Sequence, residues 1–366
     1  MVIQKKELVE SLKMCMPGIE TGSAVLQGAD SFVFHKGKIY SYNDVISVCV
    51  PITQEGLLEE KIEGCVKAEE FFKIITKFPS DEIKFTVTEK GSWLLKCGKA
   101  KAEMTLMNFD FAPRFQNIAP DKDGWIKLDE DFMFGVGTCK MSVNKTQLSG
   151  VYFEGQDIIS TDGNQMNCYT MKETELPKFW ISDNSANELL KLKKLVSMQL
   201  QGTWAHFKAE DETMFSIKTL QADTYPASKL KNIIDTSNPE KATLHAKFPK
   251  DLFNAIDRAV SFSMDIFDHS AVRLVISKEK IEVSAERSAG KYSEKVAWDE
   301  EIKEDFEPLV VYVDAVMMQF VAQRTVEFYL LKGPMRNGKS LPRLLFVTDA
   351  SKHLLCTLDA GTEDEE

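Results

Sequence analysis

Paired cysteines and clustered histidines, the usual signatures of disulfide scaffolds and metal sites, are missing from this sequence. Its seven cysteines are dispersed without any CxxC spacing, and its five histidines stand alone. An odd, scattered set of thiols is typical of a reduced, cytosolic protein. We therefore expect a cytoplasmic protein that holds no metal and needs no cofactor.

Long apolar runs are absent as well. The longest, near Val45 to Ile52, is far shorter than the roughly 20 residues of a membrane-spanning helix. The N-terminal residues are amphipathic and show no apolar signal core. We expect no membrane association. Hydrophobic residues make up 43% of 366 residues, which is enough for the cores of two or three domains.

One motif of catalytic type is present. Gly333 to Ser340 fits the nucleotide-binding pattern GxxxxGK[ST]. That loop requires a following helix, because the helix N-terminus and the loop amides bind the phosphates. Here Pro342 and a strand-like run to Val347 follow, which predicts a basic hairpin. A P-loop enzyme that uses Lys339 remains an alternative. No GxSxG or Cys/His arrangement supports another enzyme class.

A strand, a polar turn and a second strand recur three times, at residues 31–42, 150–161 and 272–284. The period of about 120 residues indicates repeated domains rather than a solenoid. Pro, Asp, Asn and Ser cluster near residues 120–124 and 235–241, which predicts linkers there. The predicted domains are residues 1–122, 123–240 and 241–366, the last with an acidic tail.

Each repeat also carries two apolar stripes at helical spacing. Their residues are Leu8, Leu12 and Cys15; Phe71, Ile75 and Phe78; Phe132, Val136, Cys139 and Val143; Leu189, Leu192 and Val196; Leu252, Ile256 and Val260; and Val316, Phe320 and Gln323. Alternating runs between them are typical of strands. The sequence therefore predicts an α+β fold in which each domain packs two helices on antiparallel sheets.

Charge is distributed unevenly along the chain. The net charge of −11 argues against a nucleic-acid partner, unless one surface alone is basic. Acidic residues concentrate at positions 59–60, 299–301 and the tail. The polar sides of the predicted helices carry Lys6, Lys13, Lys73, Lys77, Lys140, Lys145, Lys191, Lys194, Lys250, Arg258 and Arg324. A separate basic surface and ordinary solvated helix faces both explain this pattern.

Several segments together resemble the bacterial DNA polymerase III beta subunit family, the sliding clamps. Leu148-Ser-Gly-Val-Tyr-Phe-Glu154 followed by Ser160-Thr-Asp-Gly-Asn-Gln-Met166 is similar to the family's Leu-x-Gly-x-x-Phe-Glu strand and Thr-Asp-Gly-His-Arg-Leu turn. Further similar segments are Ala271–Ser277, Ile281–Ala285, Tyr225-Pro226 and Asn238–Lys241. The sequence departs from the family at Asn164-Gln165 and in its acidic C-terminal end, a divergence that would suit a phage-borne clamp.

The resemblance implies three like domains per chain and a head-to-tail homodimer that closes a six-domain ring around double-stranded DNA. The helices would line the hole, so the eleven cations above would face DNA without sequence preference. The ring would be a non-catalytic processivity factor in DNA replication. Its partners would be the replicative DNA polymerase and the clamp loader.

The family's partner-binding cleft lies between the second and third domains. Carried over by position, it would comprise Leu148, Thr161, Gly163, Met166, Leu354, Leu355, Cys356 and Leu358. Such an apolar groove suits a short peptide with Leu and Phe anchors. The dimer contact would involve Met104 and Phe262. A three-domain scaffold that does not encircle DNA remains a further alternative.

Overall fold

The computed structural model of the chain describes residues 2–22, 27–52, 62–107, 118–140, 148–266, 269–322, 327–333, 335–336 and 339–358. These residues form two compact units. The first unit comprises residues 1–133 and 174–222, and the second comprises residues 134–173 and 223–366. The division into three domains stays a prediction.

Within the described ranges the chain forms seven α-helices. They are α1 (Lys5–Cys15), α2 (Ala68–Lys77), α3 (Phe132–Lys140), α4 (Asp183–Leu189), α5 (Ala227–Thr236), α6 (Leu252–Val260) and α7 (Ala315–Ala322). Six of them coincide with the predicted stripes, of which Val143 and Gln323 lie outside the described residues. Helix α5 was not predicted. The apolar spacing explains their orientation: α1, for example, buries Leu8, Leu12 and Cys15 along one face.

Helix α4 corrects part of the prediction. The stripe was expected to continue to Val196, but the helix ends at Leu189 and Val196 lies in a strand. The cap is Ser182, whose Oγ accepts a hydrogen bond from the amide of Ser185 at 3.2 Å. Between the helix and β14 the chain turns, and Lys194 directly before the strand has a positive φ of 35°.

The strands follow the chain in this order: β1 (Val2–Gln4), β2 (Ser31–His35), β3 (Lys38–Tyr42), β4 (Ile46–Pro51), β5 (Gly64–Lys67), β6 (Glu82–Val87), β7 (Trp93–Cys97), β8 (Ala100–Met104), β9 (Ile126–Lys127), β10 (Val151–Gly155), β11 (Asp157–Thr161), β12 (Gln165–Thr170), β13 (Leu176–Ile181), β14 (Leu195–Gln201), β15 (Trp204–Ala209), β16 (Met214–Lys218), β17 (Leu244–Lys247), β18 (Met264–Ile266), β19 (His269–Ile276), β20 (Lys280–Arg287), β21 (Gly290–Ala297), β22 (Leu309–Asp314), β23 (Glu327–Leu331), β24 (Met335–Arg336), β25 (Lys339–Ser340), β26 (Arg343–Val347) and β27 (Ser351–Cys356).

Neighbouring strands pair antiparallel. The first unit contains the sheets β1-β6-β7-β8 and β5-β2-β3-β4-β16-β15-β14-β9. The second unit contains the strand order β10-β11-β12-β27-β26-β23-β17 and a sheet β18-β19-β20-β21, in which β22 also pairs with β19. The three predicted strand pairs are confirmed as the hairpins β2–β3, β10–β11 and β19–β20.

Two strand pairs join consecutive repeats of the sequence. Strand β4 of the first repeat pairs with β16 of the second, and β12 of the second pairs with β27 of the third. We call these the first junction (β4–β16) and the second junction (β12–β27). Each junction lies inside one compact unit, so the backbone of one repeat is hydrogen-bonded directly to the next.

The cores explain why the helices pack on the sheets. In the first unit, rings of Phe34, Phe71 and Trp93 meet edge to face, with centroids 5.0–6.0 Å apart. In the second unit, Leu252 and Ile256 of α6 are fully buried in an apolar cluster with strands β19 and β20. Truncating one such aromatic core residue to alanine typically costs about 3–5 kcal/mol.

The first two repeats share a polar link between helix and sheet. The hydroxyl of Ser41 donates to the carbonyl oxygen of Cys15 at 2.6 Å, and Ser160 donates to that of Cys139. Both thiols donate in turn to a backbone carbonyl of the adjacent strand. In the third repeat the corresponding position is Val283, fully buried in the apolar core. The repeats therefore share a backbone design rather than one set of core contacts.

Candidate functional site

A tight turn connects β11 to β12 at the second junction. Asp162 Oδ1 accepts hydrogen bonds from the amides of Asn164 and Gln165, each at 2.9 Å, and this geometry is typical of an Asx turn. Gly163 has a φ of 94°, which glycine adopts without strain. The carbonyl of Asn164 accepts from the amide of Cys356 at 2.8 Å. The turn is thereby fixed to β27, and Asp162 has a structural role.

An apolar face lies beside this turn. Thr161 stands opposite Met166 on β12, and Met166 stands opposite Leu354 on β27. These side chains are only 3%, 5% and 2% exposed. Leu354 packs with Leu331 and Leu345 in one apolar cluster. The structure therefore brings together the central residues of the predicted cleft.

Leu331 and Leu345 extend this face and were not named from the sequence. Their strands alternate apolar residues, but alternation alone does not say which face meets a groove. Leu355 points to the opposite side of β27, because neighbouring strand residues alternate faces. It belongs to the buried cluster that contains Phe346, so Leu355 is a core residue and lies off the face that carries Leu354.

The remaining predicted cleft residues lie at the ends of the face. Leu148 is half-buried just before β10, Gly163 is exposed in the turn, and Cys356 is half-buried at the end of β27. Leu358 is 9% exposed, and its amide donates to the carbonyl of Tyr312 at 2.7 Å. Leu358, two residues beyond β27, is therefore held against β22.

The predicted DNA-facing cations lie mostly at the surface. Lys145 and Arg324 are outside the described residues. Lys140 on α3 is half-buried, and the others are exposed: Lys6 and Lys13 on α1, Lys73 and Lys77 on α2, Lys191 and Lys194 between α4 and β14, Lys250 before α6, and Arg258 on α6. Lys6, Lys13, Lys73, Lys77, Lys140 and Arg258 thus lie on helices, as the sequence predicted, whereas Lys191, Lys194 and Lys250 lie in the segments between elements.

Several of these cations have a carboxylate partner. The pairs are Lys73–Glu69, Lys191–Glu188 at 2.6 Å, Lys194–Glu210 at 2.9 Å and Arg258–Glu294 at 2.7 Å. The Tyr292 hydroxyl and the Arg258 guanidinium lower the pKa of Glu294. Such exposed pairs contribute little to stability. They do reduce the positive charge that these side chains present, so the helical surface is less basic than its lysine count indicates.

Comparison with known proteins identifies the architecture. No family model matches the chain. The beta sliding clamp of Rickettsia felis is 23% identical in an alignment of 333 positions that covers 84% of this chain and 83% of that protein. The DNA polymerase sliding clamp of Bacillus subtilis superposes with a TM-score of 0.77 at 18% identity, covering 98% of this chain and 99% of that one. This chain has the sliding-clamp fold.

A Helicobacter pylori beta clamp that was solved with a bound DNA ligase peptide has the same fold. It superposes with a TM-score of 0.76 at 15% identity, again covering 98% of this chain and 99% of that one. The resemblance drawn from short sequence segments is therefore confirmed over nearly the whole chain, although few residues are shared.

The two predicted dimer residues lie at sheet edges of this clamp fold. Met104 ends β8, which is the last strand of its sheet. Phe262 stacks on Tyr292 of β21, with centroids 6.4 Å apart and rings inclined by 9°, and β21 is also a last strand. Among the described strands, neither has a neighbour on its outer side. Unpaired edges of this kind are templates for strand addition.

The P-loop motif does not form a nucleotide site in the clamp fold. Met335 pairs with Ser340 and Arg336 pairs with Lys339, which makes the segment a short hairpin. From residue 339 to 358, all of it described, the chain forms strands and turns and contains no helix. The helix N-terminus that would bind phosphate is therefore missing from the position that the motif requires.

Membrane spans and metal clusters are both absent from the described part of the chain. No helix in these ranges is long and apolar enough to cross a membrane. No group of three or more His, Cys, Asp or Glu side chains in the same ranges is arranged to hold a metal ion.

Proposed function

We propose that this protein is a DNA sliding clamp, a non-catalytic processivity factor. Two chains form a ring around duplex DNA and tether the replicative polymerase to it. The observation that supports this best is the superposition of 98% of the chain on a DNA polymerase sliding clamp. A ring holds DNA by topology, so weak and sequence-independent phosphate contacts suffice. A cytoplasmic location is part of the proposal, because the clamp acts where DNA is copied.

The apolar face of the second junction is the proposed partner site. A polymerase or a clamp loader would insert a short segment with Leu and Phe anchors beside Met166 and Leu354. A tethered partner gains effective concentration at the primer end without making new contacts there. Because both side chains are nearly buried, the peptide must displace them. Methionine suits this role, since its unbranched side chain adapts readily to a new neighbour.

The proposed ring contact pairs the edge strand β8 of one chain with β21 of the other. Both strands carry alternating exposed charges: Lys101 and Glu103 on β8, and Lys291 and Lys295 on β21. Edge pairing would satisfy the outer backbone groups of both strands. It would also use Met104 and Phe262 as flanking apolar contacts.

The lysines of α1 and α2 can test whether the proposed cations face DNA. Replacing Lys6, Lys13 and Lys77 by Glu is expected to weaken DNA retention strongly, because each replacement removes a phosphate contact. The salt dependence of binding should become smaller for the same reason. Replacing Lys191 and Lys194, which already have carboxylate partners, should have a smaller effect. Equal loss in both variants would contradict this ranking.

The deciding experiment is small-angle X-ray scattering on an absolute intensity scale. A mass near twice 41.4 kDa with a hollow, flat profile is the expected result. A compact monomer across a concentration series would overturn the ring. Retention on nicked circular DNA that is lost when the circle is cut would then establish encirclement. A non-encircling scaffold would behave alike on circular and linear DNA.

A further inference from the structure

The first junction repeats the design of the second. Asn43 Oδ1 accepts hydrogen bonds from the amides of Val45 at 3.3 Å and Ile46 at 2.9 Å. The carbonyl of Val45 accepts from the amide of Lys218 on β16 at 2.8 Å. Asp44 has a φ of 64°, in the left-handed region that Gly163 occupies in the other turn. The two junctions are thus equivalent residue by residue.

The side chains on the equivalent face are different. Ser47 pairs with Ser216 across the first junction, where Met166 pairs with Leu354 across the second. His206, opposite Ser216, occupies the position that Leu345 has in the second junction. Its Nδ1 lies 2.8 Å from the Ser216 hydroxyl. Where the second junction is filled by apolar side chains, the first leaves a cavity of about 310 Å³.

Aromatic rings and lysines surround this cavity. Tyr40 and Trp125 line it, and the indole Nε1 of Trp125 donates to the carbonyl of Asp121 at 3.2 Å, which fixes the ring. Lys38 and Lys208 also line it, and so do the carboxylates of Asp121 and Glu212. Lys208 pairs with Glu212 at 2.6 Å, whereas Lys38 is exposed and forms no ion pair among the described ones. The cavity therefore combines a hydroxyl-lined floor, an aromatic wall and an available cation.

We propose that this cavity is a second docking site, for a short extended segment of a partner protein in which an aromatic residue is next to an acidic one. The volume is at the lower end of the range for ligand pockets, which suits one ring and its neighbour. The aromatic wall receives the ring, and Lys38 pairs with the carboxylate. The two junctions therefore select different peptides, one apolar and one acidic. Ring closure is not required, so the proposal is independent of the clamp function.

Fluorescence anisotropy with two labelled pentapeptides tests this site. The probes are Gly-Glu-Phe-Gly-Ser and its matched neutral form Gly-Gln-Phe-Gly-Ser. The acidic probe is expected to bind about fivefold more tightly than the neutral one. Lys38→Glu should weaken the acidic probe about tenfold, a loss of about 1.4 kcal/mol. Lys84→Glu, which changes an exposed strand lysine elsewhere in the same unit, should leave binding unchanged.

Three outcomes would overturn the proposal. The first is equal binding of the two probes, and the second is equal loss in the two lysine variants. The third is competition between the acidic probe and a Leu/Phe peptide, because that would place both at the second junction. Ser47→Met places at the first junction the methionine that the second junction has at the equivalent position, Met166. This variant should lose binding of the acidic probe and keep binding of the Leu/Phe peptide. If that variant fails to fold, Lys38→Glu still decides, since its side chain is exposed.

Discussion

The first and second junctions join consecutive repeats through the same backbone hydrogen bonds, yet their side chains form different surfaces. In the second, Met166 and Leu354 fill the face with apolar side chains. In the first, Ser47 and Ser216 leave it open and polar. The turn and the strand pairing therefore hold the repeats together, whereas a few facing positions determine what each junction can bind.

The largest contrast between the junctions should appear in stability. Leu354→Ala removes a side chain that is 2% exposed in an apolar cluster and is expected to cost about 2–5 kcal/mol. Ser216→Ala, at the equivalent position, loses one hydrogen bond to His206 and should cost about 1 kcal/mol. Urea unfolding followed by circular dichroism measures both. Equal costs would show that the two faces are energetically alike.

Acid should weaken both junctions through two buried histidines, His353 on β27 of the second junction and His206 on β15, which pairs with β16 of the first. Burial lowers the pKa of His206 to about 4, against a small opposing effect of Asp121, and lowers the pKa of His353 to about 3. Both are therefore neutral in the folded chain, while the unfolded chain takes up protons below about pH 6.5. Stability is complete above that pH and falls toward pH 4 by about 1.4 kcal/mol per pH unit for each histidine.

Exchanging the junction residues tests this assignment of the acid sensitivity. His206→Leu inserts the residue found at the second junction, and His353→Phe inserts the equivalent of Phe215 at the first. Each change should flatten the stability profile between about pH 6.5 and pH 4, measured by urea unfolding at each pH. An unaltered slope in either variant would assign the acid sensitivity to other groups.

Peptide binding should separate the junctions next. Met166→Ala is expected to weaken a Leu/Phe peptide by about 1–2 kcal/mol, the usual cost of truncating an apolar contact at an interface. Ser47→Ala, at the equivalent position of the first junction, should leave that affinity unchanged. Isothermal titration calorimetry measures both. Unchanged affinity in Met166→Ala would remove this residue from the partner site.

The smallest effect concerns the two turns. Gly163 has a φ of 94°, and a methyl group on its Cα would meet no other atom within 4 Å. Gly163→Ala should therefore cost about 1 kcal/mol through backbone strain alone. Asp44→Gly, which relieves a non-glycine residue at φ 64°, should be neutral or slightly stabilising. Thermal unfolding of both variants measures the difference. A stabilising Gly163→Ala would contradict the equivalence of the two turns.

Local structure was largely predictable from the sequence. The hairpins and six of the helices follow from apolar periodicity, because each buries one face against its own repeat. Helix α5 was missed, although Leu230 and Ile234 are buried at helical spacing after Pro226. That spacing, together with the proline, was an available signal. The predicted end of α4 was wrong because Leu192 and Val196 continue the helical spacing, and no glycine or proline between Leu189 and Leu195 marks the boundary.

The candidate sites were less predictable. The resemblance named Met166 and Leu354, but it could not show that Leu355 turns into the core, since register depends on strands far apart in the chain. The cavity at the first junction had no sequence signal at all. It arises because Ser47, Ser216 and Trp125 meet only after folding. Periodicity cannot predict which residues pair when they are far apart in the sequence.

The pairing of β4 with β16 has a consequence for how the chain can be cut. The segment around residues 118–125 is the covalent link between the first two repeats, but the junction that it spans lies in the middle of one continuous eight-stranded sheet. A protease nick there would leave two fragments still bound through the strands. The two fragments, expressed separately, should therefore reassemble when they are mixed. Either fragment alone would expose an unpaired sheet edge and aggregate.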